Sequence, residues 1–81
     1  MEEKDFADFA DALCECGYAF MVEVSEDTAN VYFKNLSEYP LELVQHALFC
    51  WIREMNSFPT IFQLIDVLAK AIKNARKDMQ A

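Results

Sequence analysis

Eighty-one residues suffice for one domain, since domains run from about 50 to 250 residues. A net charge of −7 opposes nonspecific attraction to nucleic acid and to anionic membranes, both of which favour basic proteins. The longest uncharged stretches, such as Met55 to Ile65, fall well short of the roughly 20 apolar residues needed to span a bilayer.

The charge is unevenly spread. Met1 to Glu42 holds eleven acids against Lys4 and Lys34, whereas Leu43 to Ala81 holds three acids against Arg53, Lys70, Lys73, Arg76 and Lys77. Cys14, Cys16 and Cys50 form an odd set with no signal peptide ahead of them, a pattern that suits a reducing cytoplasm. Seven Phe, three Tyr and Trp51 are enough for one compact core, and the surplus is expected at an interface.

One Gly and two Pro leave little room for strands and tight turns, and four helical segments follow from periodicity. Residues 1–4 are expected to be disordered. The first helix is predicted from Lys4 to Cys16, with Phe6, Phe9, Ala10 and Leu13 on one face, and Gly17 is expected to end it in the left-handed conformation. Tyr18 to Val24 reads equally as a continuation of that helix or as an extended connector. Ser25 is the expected cap of a second helix, with Glu26 and Asp27 in its first turn and Ala29, Tyr32, Phe33 and Leu36 turned inward.

Pro40 suits the first position of a third helix, whose buried stripe is Val44, Ala47, Leu48, Trp51, Ile52 and Met55. Asn56 and Ser57 break the pattern, and Phe58-Pro59-Thr60 opens a last helix with Thr60 as its cap. There Ile61, Leu64, Ile65, Leu68, Ile72, Ala75 and Met79 recur at helical spacing, and Lys73, Arg76 and Lys77 lie near the C-terminal end of the dipole. Together these segments predict an all-α fold, a compact bundle of three to four helices forming a single domain over residues 1–81.

Candidate metal ligands are Cys14, Cys16, His46 and Cys50. Two residues apart on a helix, Cys14 and Cys16 diverge by about 200°, so no metal site is expected and the cysteines read as free thiols. No phosphate-binding glycine loop or nucleophile motif is present, and no enzymatic activity or cofactor is expected.

Binding of another protein is the better expectation. Phe49 lies about 135° from the centre of its helix's core stripe, with Glu42, Gln45, His46 and Arg53 around it. On the last helix Phe62 lies about 110° off its stripe, and Val67 is displaced by a similar angle on the other side. An apolar patch with a polar rim, centred on Phe49, Arg53, Phe62 and His46, is how partner sites are usually built, and a second copy of the chain would serve as the partner if the protein dimerises. Asp8, Asp11 and Glu15 form an acidic stripe opposite Phe6, Phe9 and Leu13. It reads either as a solvated helix face or as a ladder of carboxylates for a basic partner.

From Ser25 to about Leu68 the chain resembles phage and prophage replisome-organiser proteins of the helicase loader-and-inhibitor type. The resemblance rests on Tyr32-Phe33-Lys34-Asn35-Leu36, Tyr39-Pro40 with Glu42 and Val44, Ala47-Leu48, Ile52, and Phe58-Pro59-Thr60 with Leu64 and Ile65. It implies a small helical adaptor or inhibitor that binds a replicative helicase in the cytoplasm of a bacterial host and has no ATPase activity of its own. Such loaders usually continue into a flexible tail after the last helix, so binding or inhibition, rather than loading, is the expectation here. The alternative is a small acidic inhibitor of a host nucleic-acid enzyme, such as an anti-CRISPR or other anti-defence protein that uses its carboxylates as a DNA mimic.

Overall fold

The computed structural model describes the backbone of residues 1–80 and the side chains of residues 1–75. Met79, placed in the last stripe, and Arg76 and Lys77, placed at the end of the dipole, therefore lie outside the described side chains. The fold is all-α. A short 3-10 turn, Glu3–Asp5, leads into α1 (Phe6–Ala19), followed by α2 (Glu26–Leu36), α3 (Leu41–Glu54) and α4 (Ile61–Gln80).

The helices close a ring in which α1 packs on α2 and α3, and α4 packs on α2 and α3. Inside it one stripe from each helix meets. Phe9, Leu13 and Cys16 come from α1, Ala29 and Leu36 from α2, Val44, Ala47, Leu48 and Trp51 from α3, and Leu64 and Leu68 from α4. Burial of this kind contributes about 1.5–3 kcal/mol per large side chain, so the core residues dominate the stability of the domain. No charged or polar side chain is buried among the described residues.

The helix starts follow the cap chemistry written in the sequence. Ser25 Oγ accepts from the Thr28 amide at 3.1 Å. Thr60 and Gln63 form a reciprocal box, with the Gln63 amide donating to Thr60 Oγ1 at 3.1 Å and the Thr60 amide donating to Gln63 Oε1 at 2.9 Å. Pro40 is the residue before α3 rather than its first helical residue, a one-residue difference.

At the start of the chain the Met1 amino group donates to the carbonyl oxygens of Ser37 and Tyr39, the latter at 2.8 Å. A cation at the carbonyl end of α2 meets the negative pole of that helix, an attraction between distant segments that periodicity does not reveal. Three expectations need correction. Met55 is exposed instead of closing the α3 stripe, because α3 ends at Glu54 and Met55 is extended. Ala75 is also exposed.

The third concerns Gly17, which does not end the first helix. It lies inside α1, and the left-handed residue is Met21, with φ 59°. The Val22 amide donates to the Gly17 carbonyl at 2.8 Å and the Met21 amide to the Tyr18 carbonyl at 3.2 Å. These are the two bonds of a Schellman ending with Met21 in the place glycine usually takes. Tyr18 to Val24 therefore divides, with two residues of helix, a left-handed turn and a run without regular structure into Ser25. Gly17 serves close approach: a Cβ there would meet Val22 O at 2.6 Å and Val24 Cγ2 at 2.8 Å.

Gly17→Ala should therefore destabilise the domain by about 1–3 kcal/mol although alanine is the better helix former, and urea unfolding measures this. An unchanged or raised midpoint would contradict the close approach. Trp51 fills the core and donates from Nε1 to Ser57 O at 2.6 Å, tying α3 to the turn before α4. Trp51→Ala should cost about 3–5 kcal/mol, enough to unfold much of a domain this small, and its far-ultraviolet circular dichroism on heating reads the loss. A variant that melts like the parent would mean that α3 is rotated from this phase.

Candidate functional site

The outward face of α3 carries His46, Phe49, Cys50 and Arg53 within two turns. Phe49 is 56% exposed, and the Arg53 guanidinium carbon lies 5.7 Å from its ring centroid. That is a cation–π distance, which at an exposed site contributes about 0.5–1 kcal/mol and holds the arginine over the ring. One turn earlier, His46 Nε2 lies 3.5 Å from Cys50 Sγ. His46 is exposed and Cys50 half-buried, so this pair edges the patch. His46 also borders a shallow apolar groove formed with Leu43 and with Ala71 and Ile72 of α4.

Phe62 is 86% exposed in the first turn of α4, directly after the Thr60–Gln63 box that fixes where that helix begins. The structure thus brings His46, Phe49 and Arg53 together and puts Phe62 on another helix. Phe49 and Phe62 share no ring contact among the described residues. Val67, which the helical phase turns outward, is half-buried against the core. The ring of helices covers that side of α4, something the phase of one helix does not report.

Asp8, Asp11 and Glu15 are all exposed along α1. The ion pairs among the described residues are Lys4–Glu2 at 3.4 Å and Lys70–Asp66 at 3.0 Å, both exposed, so neither involves the three carboxylates. The stripe is a field of like charge turned to solvent.

One surface group had no counterpart in the periodicity. Tyr18 is 79% exposed and Met21 94% exposed, and with Val22 they put apolar surface at the end of α1. The signal that would have found it is the left-handed turn, and methionine at that position gives no such signal because glycine is the residue that ordinarily marks it.

The thiols differ in environment. Cys16 is fully buried, and burial pushes its thiol up to about 11, so it stays protonated and unreactive at neutral pH. Cys14 and Cys50 are half-buried. No three His, Cys, Asp or Glu side chains gather into a metal-holding group among the described residues, and no helix among them is long and apolar enough to cross a membrane. No protein-family model, no curated protein and no solved structure matches this chain.

The Cys16 thiol gives a stability signature. Its pKa rises from 9.0 to about 11 on folding, so its contribution is fully present below pH 9 and is lost as pH climbs towards 11. The Tyr32 hydroxyl is also raised, first by burial and then by the charge Cys16 would acquire, which steepens the alkaline loss. Stability measured by urea unfolding should fall by about 2–3 kcal/mol between pH 9 and 11 on account of Cys16. Cys16→Ala should flatten that fall, and an equally steep fall in the variant would contradict the assignment.

Proposed function

We propose that this chain is a non-enzymatic protein that works by binding another protein through the outward face of α3, with Phe49 at its centre, Arg53 and His46 around it, and Phe62 as a further contact. The observation that carries this reading is that Phe49 is more than half exposed while the core is complete without it. Large aromatics beside an arginine are the side chains most often found at the energetic centre of an interface. Phe62, exposed on α4, is a second outward aromatic.

A replicative helicase in the cytoplasm of a bacterial host is the partner suggested by the resemblance, with this chain as its adaptor or inhibitor. Most residues that carry the resemblance serve the fold. Leu36, Tyr39, Val44, Ala47, Leu48, Pro59 and Leu64 are buried, and Tyr32 donates its hydroxyl hydrogen to Pro59 O at 2.8 Å. The resemblance therefore speaks first to how the helices pack, and the partner rests on the exposed residues. The second reading, an acidic inhibitor of a host nucleic-acid enzyme, is favoured by the solvent-facing carboxylates of Asp8, Asp11 and Glu15.

Titration of the labelled protein with a purified bacterial replicative helicase separates the two. Phe49→Ser should weaken binding 10-fold or more, equivalent to about 1.4 kcal/mol, and added salt should change the parent's affinity little. Absence of binding would remove the helicase. Binding to a nucleic-acid enzyme that falls steeply with salt and ignores Phe49→Ser would favour the acidic reading.

A further inference from the structure

A second surface lies at the end of α1 and is lined by none of the residues assigned to the α3 face. Cys14, Tyr18, Met21, Val22, Glu23 and Val24 line an open cleft of about 380 Å³. Its walls follow from the chain ending of α1. Gly17 lets the chain return across the helix, with Val24 Cγ2 so near that a Cβ at Gly17 would meet it at 2.8 Å. The left-handed Met21 then stands out on the rim, 94% exposed, with Tyr18 79% exposed on the helix beside it. Glycine would adopt that turn without strain, so the methionine here is an apolar, flexible side chain held in solvent at a conformational cost.

The charge on the lining of the cleft and on the stretch of chain that builds it is of one sign. From Asp5 to Phe33 there is no Lys, Arg or His, and the same stretch holds seven carboxylates. Asp8, Asp11 and Glu15 share about 80° of helical arc with Tyr18, so the acidic stripe runs along α1 towards the cleft, and Glu23 is part of its wall. An apolar opening whose lining and flanking helix carry carboxylates as their only charges repels nucleic acid and acidic surfaces and attracts a segment that is both basic and apolar.

We infer that the cleft at the end of α1 docks a basic amphipathic segment of a partner protein, one or two of its apolar side chains entering between Tyr18, Met21 and Val22 while its lysines or arginines face Asp11, Glu15 and Glu23. This docking is independent of the α3 face, because it uses neither Phe49 nor Arg53. The apolar contact supplies the hold, and the carboxylates supply orientation and salt-dependent attraction.

The test uses a fluorescein-labelled helical peptide of about 16 residues built from Leu and Lys only, with Leu at helical spacing, and a control in which Glu replaces every Lys. Fluorescence anisotropy should register binding of the Lys peptide and none of the Glu peptide. Backbone amide shifts in the protein's NMR spectrum should concentrate at Gly17 to Val24. Met21→Gly keeps the left-handed turn and removes the side chain, so it should leave the melting temperature unchanged or higher while weakening the Lys peptide 10-fold or more. Phe49→Ser should leave that affinity unchanged, which separates failure of this inference from failure of the α3 reading. Equal binding by Met21→Gly and parent, or shifts confined to other parts of the protein, would overturn the proposal. So would a free protein that sediments as a dimer and becomes a monomer on Met21→Gly, since the cleft would then hold a second copy.

Discussion

Closure of the helix ring is the constraint on which the rest of the molecule depends. With α1 on α2 and α3, and α4 on the same two, every helix has two neighbours and can bury only one stripe. The fully buried large side chains, Phe9, Leu13, Leu36, Val44, Leu48, Leu64 and Leu68, come from all four helices and meet in one cluster. Among the described residues that arrangement leaves one outward face per helix uncovered. Phe49, Phe62 and Tyr18 are exposed for this reason, and Met21 because the left-handed turn after α1 holds it outward.

The same constraint explains which features were legible in the sequence. The α1, α2 and α3 stripes each follow from helical spacing around single residues such as Phe9, Leu36 and Leu48, and the helix starts follow from Ser25 and Thr60, whose hydroxyls accept the amides that the helix leaves unpaired. These are local signals. Features set by contacts between one segment and another were not legible. The Met1 ammonium finds carbonyls more than thirty residues away, Val67 is covered by its neighbours in the ring, and Gly17 answers to Val22 and Val24 instead of ending its helix. Met21 was invisible because its conformation belongs statistically to glycine.

The candidate site divides along the same line. The outward phases of Phe49, His46 and Arg53 could be computed from one helix, and the structure adds the guanidinium lying over the ring. The acidic stripe was equally plain as a set of charges at helical spacing. Its continuation into the Tyr18–Met21 cleft depends on how α1 ends, which is a property of the turn. Two surfaces of different character follow, an aromatic one on α3 and an acid-rimmed apolar one at the end of α1. On the two proposals above, binding at the second would depend steeply on salt and binding at the first would not.

The core is complete without the apolar residues on the outside. The most direct measurement is urea unfolding of one variant combining Phe49→Ser, Phe62→Ser and Met21→Gly, compared with the parent at neutral pH. The expected result is a free energy of unfolding within about 1.5 kcal/mol of the parent, as three surface substitutions should give, with the same dependence on urea. A loss of about 3 kcal/mol or more, the range of a core truncation, would contradict the claim and place these side chains in the fold's own interior.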